Sequence, residues 1–466
     1  MIFKMTHPKT LFQKLWDLHY VGNRKDGKEI IYIDRHVIHE LHVPHAFARL
    51  KKSNRAILRK DLTVIVQDHT VPTILGVELI SDHIRITRLF AEKYNIKLID
   101  VNSEDHGIVH IVSSEQGYAL PGFTLACPDS HASTVGALGC LAFACGTSEL
   151  EHVLATQTIV LDKPKQMKVN FVGKLNKGVT AKDLALYLIS KHGVAAGAGY
   201  VVEFCGEIID SMKVEERMTL CNMSIEWGCK SSLIAPDDKV FNWLKDKLEI
   251  FNEDEKLTLA SWWETLKSDE NAIYDHEIEI NCSNISPQIT WGTDPSQTIN
   301  IDEIVPHNSD RNSMRYSKNL KSLEYMGIQE GKSLLNLKVD CVFIGSCSNS
   351  RLNDLRDAAK IIQGKTISKH VKAIVVPGST KIKQQAEEEG IDQIFLRAGF
   401  EWRNSGCSMC AGANGDVGNF GERIISTSNR NFENRQGRGV KTHLTSPIAA
   451  AAIALRGYIC DVREFI

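Results

Sequence analysis

Short apolar runs that stop abruptly in polar or glycine residues constrain this chain more than any other feature. Thr63-Val64-Ile65-Val66 runs into Gln67-Asp68-His69, Cys341-Val342-Phe343-Ile344 into Gly345-Ser346-Cys347, and Ala373-Ile374-Val375-Val376 into Pro377-Gly378. Such runs, with no polar alternation, suit strands covered on both faces, and helical stretches at 351–362 and 380–389 stand between them. A strand buried on both faces needs helices on each side, so the pattern predicts an α/β fold with mostly parallel sheets. In such sheets ligands gather at the carboxyl ends of strands, where the polar residues just named stand.

At about 150 residues per domain, 466 residues leave room for three α/β domains, expected at 1–165, 166–304 and 305–466. The second opens near Lys163-Pro164-Lys165 and contains a helix at 180–191 and a strand at 200–204. A charged, Pro-containing passage at 294–310 reads as the linker to the third. Gly193, Gly197 and Gly199 precede a strand instead of following one, so they do not form a dinucleotide-binding fingerprint.

Composition excludes several classes. Hydrophobic residues at 43% and charged residues at 24% are an ordinary globular balance. Lys+Arg 55 against Asp+Glu 57 leaves a net charge of -2, with no bulk attraction to nucleic acid or an anionic membrane. The apolar stretch 446–455 is far shorter than the roughly 18–20 residues of a spanning helix and predicts a buried, Ala-rich one. The N-terminus lacks the order of a signal peptide and predicts an amphipathic helix with Leu11, Leu15 and Leu18 on one side. A cytoplasmic chain is the simplest expectation, and its 12 cysteines should be reduced thiols. Cys140, Cys145, Cys205 and Cys341 stand among apolar neighbours and should fill core space.

The remaining cysteines point to chemistry. Cys407-Ser408-Met409-Cys410 puts two thiols three residues apart after Asn404-Ser405-Gly406, a spacing that lets both face one metal. The same CxxC also fits two ordinary cysteines or a redox dithiol. With no second CxxC for a zinc ribbon, the third thiol available at a strand end is Cys347. Three thiolates are one short of a filled tetrahedral site, and an open position is what a catalytic metal centre needs.

Carboxylates and imidazoles collect in the same polar breaks. They are Asp68-His69, His110 after Asp105-His106-Gly107, Asp129-Ser130-His131 after Cys127-Pro128, and Asn222 with Glu226 one helical turn apart. A neighbouring carboxylate fixes a histidine's tautomer and raises its basicity, which suits proton transfer. Any one such histidine is more often a solvated or capping group, and no G-x-S-x-G elbow supports a hydrolase triad at Ser130-His131. Arg430, Arg435 and Arg438, among small and amide residues with Phe432 as the one aromatic, suit a compact carboxylate site better than an RNA-stacking platform.

Together these segments resemble the aconitase superfamily, in its isopropylmalate-isomerase branch. The likeness runs from Lys9-Thr10-Leu11 almost to the C-terminus through Tyr32 to His36, Asp68 to Thr73, Gly146 to Glu149, Glu151 to Gln157, Cys221 to Glu226, Gly345 to Ser350 and Ser426 to Pro447. It implies an aconitase-like fold of three α/β domains around a cluster-bearing cleft, and a [4Fe–4S] cluster held by Cys347, Cys407 and Cys410 with one iron free of protein ligands. It implies a hydro-lyase that interconverts 2- and 3-isopropylmalate in leucine biosynthesis. His69 paired with Asp68 would protonate the departing hydroxyl. His110 with Asp129, and His131 with Glu226, would order the hydroxyl and water, and Arg430 and Arg435 would bind substrate carboxylate. Asn222, His39 and Ser130 would line the cleft.

The resemblance further implies that the swivelling domain and its base serine come from a separate small subunit, in a heterodimer with no nucleic-acid or membrane partner. His42-Val43-Pro44-His45 replaces the family's usual Thr-Ser-Pro-Gln, and Pro128 and Ala132 replace Gly and Thr, which bears on fine specificity. A homoaconitate- or methylmalate-type hydro-lyase would use the same machinery. An RNA-binding regulator and a zinc hydrolase rank far below.

Overall fold

The structure is a computed structural model describing residues 7–77, 80–101, 103–249, 251–307 and 314–466. Three parallel sheets follow one another along the chain. The first runs, in spatial order, Lys97–Ile99, Thr63–Val66, Arg35–His39, Thr124–Cys127, Leu141–Ala144. The second runs Ser231–Leu233, Tyr200–Cys205, Lys165–Val172, His276–Asn281. The third runs Glu401–Trp402, Lys372–Val375, Cys341–Ile344, Arg423–Ser426, Lys441–Leu444.

The first and third sheets share one winding. Each begins at its centre, grows to one side for two strands, then returns to the other side. The order therefore reverses between Arg35–His39 and Thr124–Cys127 in one, and between Cys341–Ile344 and Arg423–Ser426 in the other. Loops leaving neighbouring strands in opposite directions open a crevice beyond the carboxyl ends, and the first and third sheets each form one at this point. Two small antiparallel sheets complete the framework, Tyr20–Asn23 with Glu29–Tyr32 and Thr158–Leu161, and Gln288–Thr290 with Thr298–Asn300.

The first two sheets share one core, which includes Val64, Ile65 and Leu125 from the first and Val169, Phe171 and Val202 from the second. The third is packed on its own core, where the helix Pro447–Arg456 lies against Leu352–Ile362. Ala449 to Ala454 are buried there, their small side chains letting the two helices approach. Among the described residues no helix is long and apolar enough to cross a membrane.

Local expectations need four corrections. The helix Leu11–His19 is capped by Thr10 and buries Leu11, Phe12, Leu15, Trp16 and His19, while Leu18 is 58% exposed. Seven residues on from Leu11, Leu18 falls just past the edge of a stripe centred on Leu15 and His19, whose ring bonds Asp34. The passage 294–310 is not a simple linker, because it contains the strand Thr298–Asn300 and buries Ile299, Ile301 and Val305. Its residues 308–310 lie outside the described residues. Cys205 is half-buried and contacts the Val169 carbonyl, whereas Cys140, Cys145 and Cys341 are buried. Finally, Val43 is fully buried in the first core and leaves His42 alone beside the cleft, edge-on to His39 at 4.9 Å.

Candidate functional site

The two crevices face each other, and the loops after Thr63–Val66 and Glu401–Trp402 stitch them together. Cys407 donates its backbone N–H to the Asp68 carbonyl at 3.1 Å, and Asn404 donates to the Thr73 carbonyl at 2.8 Å. Asp416 accepts from Thr73 Oγ1 at 2.5 Å and from Ser408 Oγ at 2.7 Å, while Asn414 Nδ2 reaches the Val71 carbonyl at 3.0 Å. The CxxC turn Ser408–Cys410 is thereby fixed against the loop that carries His69.

Cys347 enters from the third sheet's reversal. Ser346 before it has φ 82°, a left-handed conformation unusual outside glycine, held where Ser350 Oγ donates to its carbonyl at 2.6 Å. Across the reversal, Gly345 N–H donates to Thr427 Oγ1 and that hydroxyl donates back to the Gly345 carbonyl, each at 2.9 Å.

Three buried thiols meet at this seam. Asn429 bridges two of them, its Nδ2 donating to Cys347 Sγ at 3.3 Å and its Oδ1 accepting from Cys410 Sγ at 3.4 Å. Asn222 Nδ2 adds a second donor to Cys347 Sγ at 3.2 Å. Cys407 Sγ lies 3.6 Å from Asp68 Oδ2. Burial pushes Cys347 up to about 12, and burial with Asp68 beside it pushes Cys407 well above the ordinary thiol range. Without a cation Cys347 and Cys407 stay protonated. A bound metal centre reverses that, since a coordinating thiol is deprotonated outright. Amide donors aimed at Cys347 Sγ suit a thiolate, so the residues fit a thiolate-held metal cluster.

The facing wall carries the acid–base groups. His69 Nδ1 donates to Asp68 Oδ1 at 2.5 Å, and its Nε2 is 3.5 Å from Asp129 Oδ2. Asp129 Oδ1 accepts from His110 Nε2 at 2.6 Å and from the His131 backbone at 2.8 Å. His131 Nε2 donates to Glu226 Oε1 at 2.8 Å. The same carboxylate oxygen accepts from Arg430 Nε at 2.7 Å, and Arg430 Nη2 donates to Ser130 Oγ at 2.8 Å. His39 stacks on His69 at 4.3 Å and donates Nε2 to the Pro128 carbonyl at 3.1 Å.

Charge follows this wiring. Burial alone lowers His69, but Asp68 and Asp129 outweigh it and hold the imidazole well above its ordinary 6.5. Asp68 stays ionised despite burial, drawn down to about 2 by His69 and the Val109 N–H. Burial likewise opposes ionisation of Asp129, yet the histidines around it hold it well below the usual carboxylate range. The site thus offers a cationic proton donor beside fixed carboxylates.

Asp68, His69, His110, Asp129, Ser130, His131, Asn222, Glu226, Arg430, His39 and the three cysteines form one connected set. Glu226 stands in the 3-10 turn Ser224–Trp227, outside the helix Val214–Met223 that carries Asn222. Arg435 stands apart, its guanidinium 5.3 Å over Phe432 and its buried Nε without a hydrogen-bond partner, and Arg438 is exposed. His106 donates Nε2–H to the Gln67 carbonyl at 2.8 Å, as a structural group.

Sequence reasoning missed three residues. Glu40 is fully buried and accepts from the backbone N–H groups of Asp68, His69 and Thr70 at 3.1, 2.8 and 2.7 Å. Its position directly after an apolar strand was the available signal. Asn429 carries no signal of its own in the sequence, standing at the head of the arginine stretch beside Arg430. Lys182 is fully buried, and its signal was a charge in the stripe of Ala185, Leu186 and Ile189.

A doubly wound pair of crevices with buried thiols on one wall and carboxylate–imidazole pairs on the other defines the class: the chain belongs to the aconitase family (aconitate hydratase), whose model matches residues 13–457. Among curated relatives it is similar to the 3-isopropylmalate dehydratase large subunit of Campylobacter jejuni strain 81-176, 48% identical over 98% of this chain and 99% of that one. It is equally similar to the 3-isopropylmalate dehydratase large subunit of Oceanobacillus iheyensis, 48% identical over 99% of each chain. A solved structure, aconitase X of Thermococcus kodakaraensis, matches 97% of this chain and 94% of that one at 12% identity and TM-score 0.48.

Proposed function

We propose that this chain is the large subunit of a 3-isopropylmalate dehydratase, an iron–sulfur hydro-lyase of leucine biosynthesis that interconverts 2- and 3-isopropylmalate by dehydration and rehydration. The observation that carries this is the convergence of Cys347, Cys407 and Cys410 opposite the Asp68–His69, Asp129–His110 and Glu226–His131 pairs. Near-full-length similarity to 3-isopropylmalate dehydratase large subunits supports it.

The three cysteines would hold a [4Fe–4S] cluster with one iron free of protein ligands. When bound, it supplies a Lewis acid for the substrate's hydroxyl and carboxylate. The chain's own groups do the rest. His69, kept cationic by Asp68 and Asp129, gives a proton to the departing hydroxyl. His110 and His131, each tied to a carboxylate, order the hydroxyl and water. Arg430 releases Glu226 or Ser130 to take a substrate carboxylate, and the unpartnered Nε of Arg435 is free to join it. Ser130, Asn222 and His39 line the pocket.

The base serine and cleft closure would come from a small subunit carrying the swivel domain. Division into units at 1–165, 166–304 and 305–466 assigns one parallel sheet to each. Reduced thiols and an oxidant-sensitive centre suit the cytoplasm.

The test is anaerobic reconstitution with iron and sulfide, then EPR after mild oxidation. A three-iron signal that Cys347→Ser abolishes is expected. Stoichiometric zinc with no such signal would overturn the reading.

A further inference from the structure

We infer that Lys182 is a positioning residue for the cysteine site: its buried ammonium ties together the two loops at the third sheet's reversal and sets a positive charge behind the sulfurs. The inference rests on the cluster reading above.

Lys182 lies in the first turn of the helix Ala181–His192, which packs in the core of the first two sheets, yet its Nζ reaches the third. It donates to the carbonyls of Ser428 at 2.7 Å and Thr427 at 3.1 Å, and to Ser348 Oγ at 3.3 Å, with Met223 Sδ at 3.5 Å. Ser348 adjoins Cys347 and itself donates to the Thr427 carbonyl at 2.9 Å. Ser428 adjoins Asn429, whose amide bonds Cys347 and Cys410. One side chain thus fastens both loops that place those sulfurs.

None of these partners is a carboxylate. A buried ammonium paired only with neutral oxygens is costly unless negative charge lies near. Burial draws Lys182 down to about 8; Cys410 and Cys347, once they are thiolates, oppose this, with Glu226 and Asp354. The ammonium and the thiolates therefore favour each other. A cluster held by three thiolates is net negative, so a fixed cation behind it stabilises binding and, more strongly, the reduced state.

The unaltered chain, Lys182→Met and Ser348→Ala are reconstituted anaerobically. Each is read for iron and sulfide per chain, for iron release to a chelator, and for the midpoint potential of the oxidised centre's EPR signal. Lys182→Met is expected to release iron about tenfold faster or more, the usual scale for outer-sphere partners. Its midpoint should move to more negative potential. Ser348→Ala keeps the charge and loses two hydrogen bonds, one from Lys182 and one to the Thr427 carbonyl, so its release quickens while its potential stays. Unaltered release and potential in Lys182→Met overturn the inference. Should Lys182→Met fail to fold, unaltered release in Ser348→Ala overturns it instead. If the unaltered chain itself takes up no iron and sulfide, the cluster reading falls and this inference with it. If it does and the variants match it, this inference falls alone.

Discussion

His69 is charged because buried Asp68 and half-buried Asp129 face it, and the sign of its pH dependence follows. Its folded pKa is raised above 6.5, so its contribution to stability is complete below that value and is lost as pH rises through the raised pKa. Asp68 is lowered from 3.8 to about 2, so its contribution is present above 3.8 and lost as pH falls through about 2. The stability difference between the unaltered chain and Asp68→Asn, read from urea midpoints, should therefore be greatest between pH 3.8 and 6.5. Dehydration should persist through neutral pH and decline above it as the donor loses its proton; a rate rising steadily into alkali would remove His69 from that role. Asn429 permits a second test. Asn429→Asp places a carboxylate against Cys347 and Cys410 and removes a donor, so release of bound iron to a chelator should quicken by about 10–100-fold.

At the scale of elements, the loops of the site depend on what holds them. Glu40 closes the strand Arg35–His39 and gathers the three N–H groups of the loop bearing His69. Glu40→Gln turns an NH2 toward one of those donors, and a loss of about 1.5–3 kcal/mol is expected by chemical denaturation, with faster amide exchange at Asp68. A sequence pattern finds the strand but not this clamp, because the donors lie 28 to 30 residues away. The first helix shows the opposite limit. Its period was legible, yet its face was rotated by contacts with Trp16 and His19. Leu15→Ala should cost about 2–5 kcal/mol, whereas Leu18→Ala should stay within about 0.5 kcal/mol; similar losses from both would contradict the burial described.

At the scale of the molecule, the site belongs to no single sheet. Asp68 and Asp129 leave the first sheet, Asn222 and Glu226 come from the helical layer beside the second, and Cys347, Asn429 and Arg430 leave the third. Such a cleft has a mouth that a partner can close. If, as proposed, the base sits on a small subunit, the cluster-loaded chain alone should isomerise negligibly. Adding that subunit should raise turnover by about 10²–10⁴-fold, the usual contribution of a positioned base. Full turnover by the chain alone would refute the division of labour.

The amino-acid sequence by itself determined the α/β class, the strand ends at Val66 and Ile344, the cysteines that stand in polar loops and the Asp68–His69 pair, because strand burial and loop chemistry are written in adjacent residues; His110–Asp129 and His131–Glu226, 19 and 95 positions apart, were pointed to only by resemblance to a family. Only the tertiary structure decided which strands stand at each reversal, that Asn429 spans two thiols, that Arg430 rests on Glu226 while Arg435 stands apart, and that Lys182 crosses from one core to the other sheet's loops. Those contacts join residues up to 246 positions apart, and no local period encodes them. They exist only once the two crevices face each other.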